Sequence, residues 1–107
     1  MEDLVNRIRE RIEAGRFRLS DHAQGRLNER GILLSDILAS IPTWTVVETY
    51  TKGRMGPSFL ARHILPAGTI HAVWGMINDN AVHAVLVTVY LPDKDKWDEH
   101  STTRRKA

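Results

Sequence analysis

The segment Ser20-Asp21-His22-Ala23-Gln24-Gly25-Arg26-Leu27-Asn28-Glu29-Arg30-Gly31-Ile32 places an imidazole and two guanidinium groups at helical spacing. At about 100° per residue, His22, Arg26, Glu29 and Arg30 share one polar arc, and Ala23 and Leu27 turn inward beside it. Imidazole titrates near neutral pH and can move protons. Arginine forks match phosphate oxygens two at a time. One His with two Arg on a rigid element is what metal-free chemistry on a phosphodiester asks for. The same residues also suit a solvated helix face with an ordinary Glu–Arg spacing. Both readings fit the segment.

A second group of interest ends the last apolar run, at Thr88-Val89-Tyr90-Leu91-Pro92-Asp93-Lys94-Asp95-Lys96-Trp97. Alternation puts Thr88 and Tyr90 on one face of a strand, and Trp97 can fold back as an apolar anchor. A tyrosine hydroxyl near His22 and the arginines would orient phosphate or act as a weak acid. Bonded to a helix end, it would be structural.

The elements that must position these groups follow from periodicity. Leu4, Val5, Ile8 and Ile12 recur at helical spacing, and Gly15 stops that first helix. Ser20 caps the second helix, and Gly31 supplies its left-handed C-terminal residue. Ser35 precedes a shorter helical turn through Asp36-Ile37-Leu38, closed before Pro42. From Trp44 the period changes. Thr45–Tyr50 is β-branched and aromatic, Lys52–Pro57 is a turn or flexible loop, and three strands follow at Ser58–Leu65, Thr69–Ile77 and Ala81–Tyr90. Pro66-Ala67-Gly68 and Asn78-Asp79-Asn80 are hairpin signals between them. Helices first and strands later predict an α+β fold, with N-terminal helices packed on a four-stranded antiparallel sheet.

If both hairpins carry three-residue loops, Leu65 opposes Thr69, His63 opposes His71, His71 opposes Val87 and Gly75 opposes His83. One face then holds His63, His71, Val73, His83, Val85 and Val87. The other holds Leu60, Arg62, Ile70, Trp74, Met76, Leu86, Thr88 and Tyr90. A histidine face could ligate a metal, but no carboxylate on these strands completes a site, so no metal is expected. A hydrogen-bonded structural role suits His63 and His83 better.

Composition bounds the remaining possibilities. The chain has 107 residues, enough for one domain with one core. Residues 1–97 are read as that single domain, and 98–107 as a polar, disordered tail ending Arg104-Arg105-Lys106-Ala107. A formal net charge of +2 permits a polyanionic partner without demanding one. The absence of cysteine excludes disulfides, thiolate zinc sites and cysteine nucleophiles. The apolar run from Ala81 to Tyr90 is half the ~20 residues a membrane-spanning helix needs. Residues 1–14 lack an apolar signal core. A protein of the cytoplasm, with no membrane partner, is expected.

Several motifs together carry a family resemblance. They are Ser20-x-His22-Ala23-x-x-Arg26-x-x-Glu29-Arg30-Gly31-Ile32, Val46-Val47-Glu48-x-Tyr50, Ile70-His71-Ala72-Val73 and Thr88-Val89-Tyr90-x-Pro92-Asp93-x-x-x-Trp97. From about Phe17 to Trp97 the chain resembles the bacterial domain-of-unknown-function family DUF4258, whose element order is similar to that of the RelE/ParE-like toxins. The resemblance implies a RelE/ParE-like architecture in which some relatives are ribonucleases, while others attack different targets or are inactive. It also implies His22, Arg26, Arg30, His71 and Tyr90 as catalytic residues, RNA as substrate, an antitoxin protein as partner and no cofactor. Gly25 departs from the pattern by interrupting the helix that displays His22, and Ile41-Pro42-Thr43-Trp44 stands where relatives tend to have a glycine turn. The expected function is a small metal-independent endoribonuclease leaving a 2′,3′-cyclic phosphate. The alternative is a non-catalytic RNA- or protein-binding module of the same fold.

Overall fold

The computed structural model describes residues 2–50, 56–76 and 81–92. Helix α1 (Glu2–Glu13) is followed by strand β1 (Phe17–Leu19), then α2 (Asp21–Arg30), α3 (Leu34–Ala39) and a 3₁₀ turn (Ile41–Thr43). Strands β2 (Thr45–Tyr50), β3 (Ser58–Leu65), β4 (Gly68–Gly75) and β5 (Ala84–Tyr90) complete the described chain. The α+β class and the helix positions agree with the sequence reading. Trp97, the 98–107 segment, most of the Lys52–Pro57 loop and the Asn78-Asp79-Asn80 turn lie outside the described residues.

The sheet is five-stranded and mixed, in the order β1-β5-β4-β3-β2, rather than four-stranded and antiparallel. The additional strand is β1, which pairs parallel with β5 through Phe17–Ala84, Arg18–Val85 and Leu19–Leu86. Three residues are too few to show a period of two, so Phe17-Arg18-Leu19 carried no strand signal. Backbone bonds from Ala84 N to Arg16 O (3.0 Å) and from Ser20 N to Leu86 O (3.1 Å) fix its two ends.

Register also departs from expectation. Leu65 pairs with Gly68, leaving a two-residue connection at Pro66-Ala67, so Arg62 rather than His63 lies opposite His71. A one-residue slip moves every side chain to the other face. His63 therefore joins the core and His71 does not. Between β4 and β5 an irregularity leaves Val87 as an extra residue, so His71 faces Tyr90 instead of Val87, and Gly75 faces Val85 instead of His83. The anticipated histidine face does not form, because His83 also precedes the start of β5.

All three helices cover one face of this sheet. Leu4, Ile8 and Ile12 of α1, Ala23 and Leu27 of α2, and Ile37 of α3 meet Phe59, Ala61, Ile70, Ala72, Trp74, Leu86 and Val89 in a single core. Fully burying an Ile, Leu or Phe side chain contributes about 1.5–3 kcal/mol. Leu4, Ile8 and Ile12 are the buried side chains through which α1 joins this core. The opposite sheet face carries Leu60, Arg62, His71, Val73, Thr88 and Tyr90, which alternate with the core-facing residues of β3, β4 and the end of β5.

Candidate functional site

Helix α2 is held rigidly at both ends. Ser20 Oγ accepts from Ala23 N at 3.0 Å and donates to Val87 O at 2.6 Å, so one side chain caps the helix and ties it to β5. At the other end Gly31 adopts a left-handed conformation (φ 64°), and Ile32 N reaches back to Leu27 O at 3.0 Å. Between these ends Ala23 and Leu27 are buried, which fixes which side of the helix faces water. Gly25 does not break the helix, which is continuous across it.

His22 and Arg30 are consequently exposed, and Arg26 is half-buried beside them. The Arg26 guanidinium lies 3.6 Å from Glu29 Oε2, a surface pair worth little in water. His22 and Arg30 take part in no ion pair among the described residues. Glu48, a carboxylate that could have paired with Arg30, instead accepts a hydrogen bond from the Tyr50 hydroxyl at 2.8 Å. An imidazole and two arginines thus stand along one accessible side of a fixed helix.

The remaining two expected site residues do come together, elsewhere. His71 Nδ1 and the Tyr90 hydroxyl are 3.2 Å apart across β4 and β5, with their rings edge-on at 5.3 Å. Arg62, opposite His71 on β3, extends the row and donates to Thr45 Oγ1 at 2.8 Å. Thr45, Arg62, His71 and Tyr90 therefore form one polar line across four strands. The sequence reading already set Arg62 on the face of Tyr90, but the assumed three-residue turn put His63 opposite His71, where Arg62 belongs. This line sits on the sheet face away from the helices, and His71 is fully buried within it. The sheet thus separates the His22-Arg26-Arg30 group from the His71–Tyr90 pair.

His63, on the helix side, is committed to packing. The Trp74 indole nitrogen donates to His63 Nε2 at 3.2 Å, and the opposite ring nitrogen lies 2.7 Å from Ser40 Oγ. Indole can only donate, so Nε2 accepts and the proton sits on Nδ1, which donates to Ser40. The Ser40 hydroxyl donates onward to Ile37 O at 2.7 Å. A Ser–His pair arranged this way cannot generate a nucleophile, since the imidazole faces the serine with its proton already in place. Burial pushes this imidazole down to about 4, which keeps it neutral.

The chain belongs to the family described as Domain of unknown function (DUF4258), whose model matches residues 19–91. That span begins at the end of β1, includes every expected site residue, and leaves α1 outside. No curated protein and no solved structure matches the chain. Among the described residues, no helix is long and apolar enough to cross a membrane.

Proposed function

We propose that this protein is a small toxin-type endoribonuclease that cleaves RNA without a metal and does so at α2. The observation that carries the reading is the accessible His22-Arg26-Arg30 side of a helix capped at both ends and anchored in the core. His22 takes the proton of a ribose 2′-hydroxyl, and the 2′-oxygen bonds to phosphorus. The bond to the 5′-oxygen breaks, solvent returns a proton to that oxygen, and a 2′,3′-cyclic phosphate remains. Arg26 and Arg30 hold the phosphate and offset the charge of the pentavalent intermediate. His71 and Tyr90 have a secondary part, tying β4 to β5 on the far face. The setting for such an activity is the cytoplasm, with an antitoxin protein as its natural partner.

A second reading has its own support. His71 is buried and lies across the sheet from α2, so among the described residues the α2 face offers a single imidazole, with no second one to act as general acid. A module that binds RNA, or another protein, without cutting it would have that composition. Incubation of the purified protein with RNA, with and without chelator and beside His22→Ala, separates the two. Cleavage that survives chelation, leaves cyclic phosphate ends and is lost in His22→Ala supports the enzyme. Retarded but intact RNA supports the module, and RNA that is neither bound nor cut removes both RNA readings.

A further inference from the structure

Arg30 belongs to two features at once. It ends the cationic side of α2, and it lines a pocket of about 210 Å³ with Ile32, Leu33, Asp36, Leu65 and Leu91. The pocket lies between the end of α2, the first turn of α3 and the β3–β4 connection. It is smaller than the ~300 Å³ at which pockets begin to hold drug-sized ligands, and a single nucleobase suits it better. Leu33 and Leu91 are 61% and 50% exposed, so the lining offers two large apolar surfaces open to further burial. A flat aromatic heterocycle laid against them would supply it.

Among the described lining residues the one carboxylate is Asp36, half-buried and with no ion pair to another described residue. An anion beside a phosphate-binding arginine repels the backbone of RNA. In the first turn of α3 it suits the helix dipole, and toward RNA it is favourable only where it meets a donor on the ligand. Ionised carboxylates accept and never donate, and their two oxygens match two parallel N–H groups. Guanine alone among the four RNA bases offers two adjacent N–H donors on its pairing edge, at N1 and N2. Adenine and cytosine offer one amino group beside an acceptor, and uracil one imide N–H between acceptors. An acceptor next to the carboxylate is repelled.

We propose that the pocket beside Arg30 is a guanine subsite, in which Asp36 accepts from N1–H and N2–H while Arg30 holds the phosphate of the same nucleotide. This rests on the reading of α2 as an RNA-binding face and gives that face a base preference. Single-stranded RNA is the form that can reach it, because an unpaired base exposes its pairing edge.

The test titrates the ¹⁵N-labelled full chain with GMP, AMP, CMP and UMP and follows amide shifts. The expected result is tighter binding of GMP by about tenfold or more, the usual worth of a bidentate base contact. The largest shifts should fall at Leu33, Asp36 and Ala67. Asp36→Asn should reduce GMP to the level of the other nucleotides, and Arg30→Gln should weaken all four alike, with thermal melts confirming the fold of each variant. Equal binding of the four nucleotides by the unaltered protein overturns the subsite, whatever the variants do. A preference that survives Asp36→Asn overturns the role of Asp36. A parallel titration with single-stranded oligonucleotides keeps the two readings apart. RNA bound without guanine preference defeats the subsite alone, whereas GMP bound with no affinity for RNA defeats the RNA reading and leaves a mononucleotide site.

Discussion

The His63 ring donates from Nδ1 to Ser40 Oγ across 2.7 Å, joining the middle of β3 to the end of α3 deep in the core. Both ring nitrogens are used, because the Trp74 indole occupies the other. The imidazole is thus held neutral by its surroundings, well below the ordinary 6.5 and at about 4.

Acid destabilisation should follow with a defined sign. Above pH 6.5 the imidazole is neutral in both states and contributes no pH dependence. As pH falls below 6.5, the unfolded chain takes up a proton that the folded protein refuses, and stability declines until about pH 4. At about 1.4 kcal/mol for each tenfold in proton affinity, the decline totals about 3 kcal/mol. Urea unfolding between pH 7 and 5 should show this slope in the native protein. His63→Gln, although less stable throughout, should flatten it. An unchanged slope in that variant would assign the acid sensitivity to other groups.

The positions of α1, α2 and the long strands were legible because each has enough residues to show a period, and because Ser20 and Gly31 are strong terminal signals. What was not legible depended on single residues. A turn shorter by one residue at Pro66-Ala67 and an extra residue at Val87 moved His71 beside Tyr90 and Arg62, and sent His63 into the core. Turn length is set by local backbone geometry that composition only suggests. The parallel pairing of β1 has no local signature at all, since its partner lies more than 60 residues away. The cationic side of α2 was readable for the opposite reason: it depends on spacing within a single helix.

Two glycines of α2 should respond to alanine in opposite directions. Gly25 lies inside the helix, and a Cβ built on it meets nothing within 4 Å. Gly25→Ala should therefore stabilise the fold by about 0.5–1 kcal/mol through better helix propensity and a less flexible unfolded chain. Gly31 is equally uncrowded but has φ 64°. Gly31→Ala should destabilise by about 1 kcal/mol, the cost of a Cβ in the left-handed region. Thermal melts of the two variants should move to opposite sides of the native midpoint. Parallel shifts would mean that α2 does not contribute to cooperative unfolding as its contacts require.

The Tyr90 hydroxyl gives a way to weigh the two faces of the sheet against each other. Tyr90→Phe removes the bond to His71 Nδ1 and leaves the ring contact in place. A buried imidazole that loses a partner costs about 1–3 kcal/mol. If the pair is structural, the variant should melt earlier and retain its full activity on RNA below the melting range. A rate loss at unchanged stability would instead bring the far face into the chemistry and require substrate to reach His71. That result would displace α2 as the site.

Arg26 and Arg30 provide the remaining prediction, on RNA affinity and its dependence on salt. The two guanidinium groups stand one helical turn apart on α2, so both can meet neighbouring phosphates of one strand. Each phosphate contact releases a counterion, and its loss should lower the slope of log affinity against log salt by about one. Arg30 is exposed and unpaired among the described residues, so Arg30→Ala should show the full reduction with little change in stability. Arg26 is partly engaged by Glu29 at 3.6 Å, and Arg26→Ala should show a smaller reduction at low salt. Removing that competitor through Glu29→Gln should strengthen RNA binding, because Arg26 is then freed and one repelling charge is lost. Filter binding across a salt series measures all three variants. Slopes equal to the native one in both arginine variants would show that α2 holds no phosphate, and the candidate site would then have to be sought on another surface.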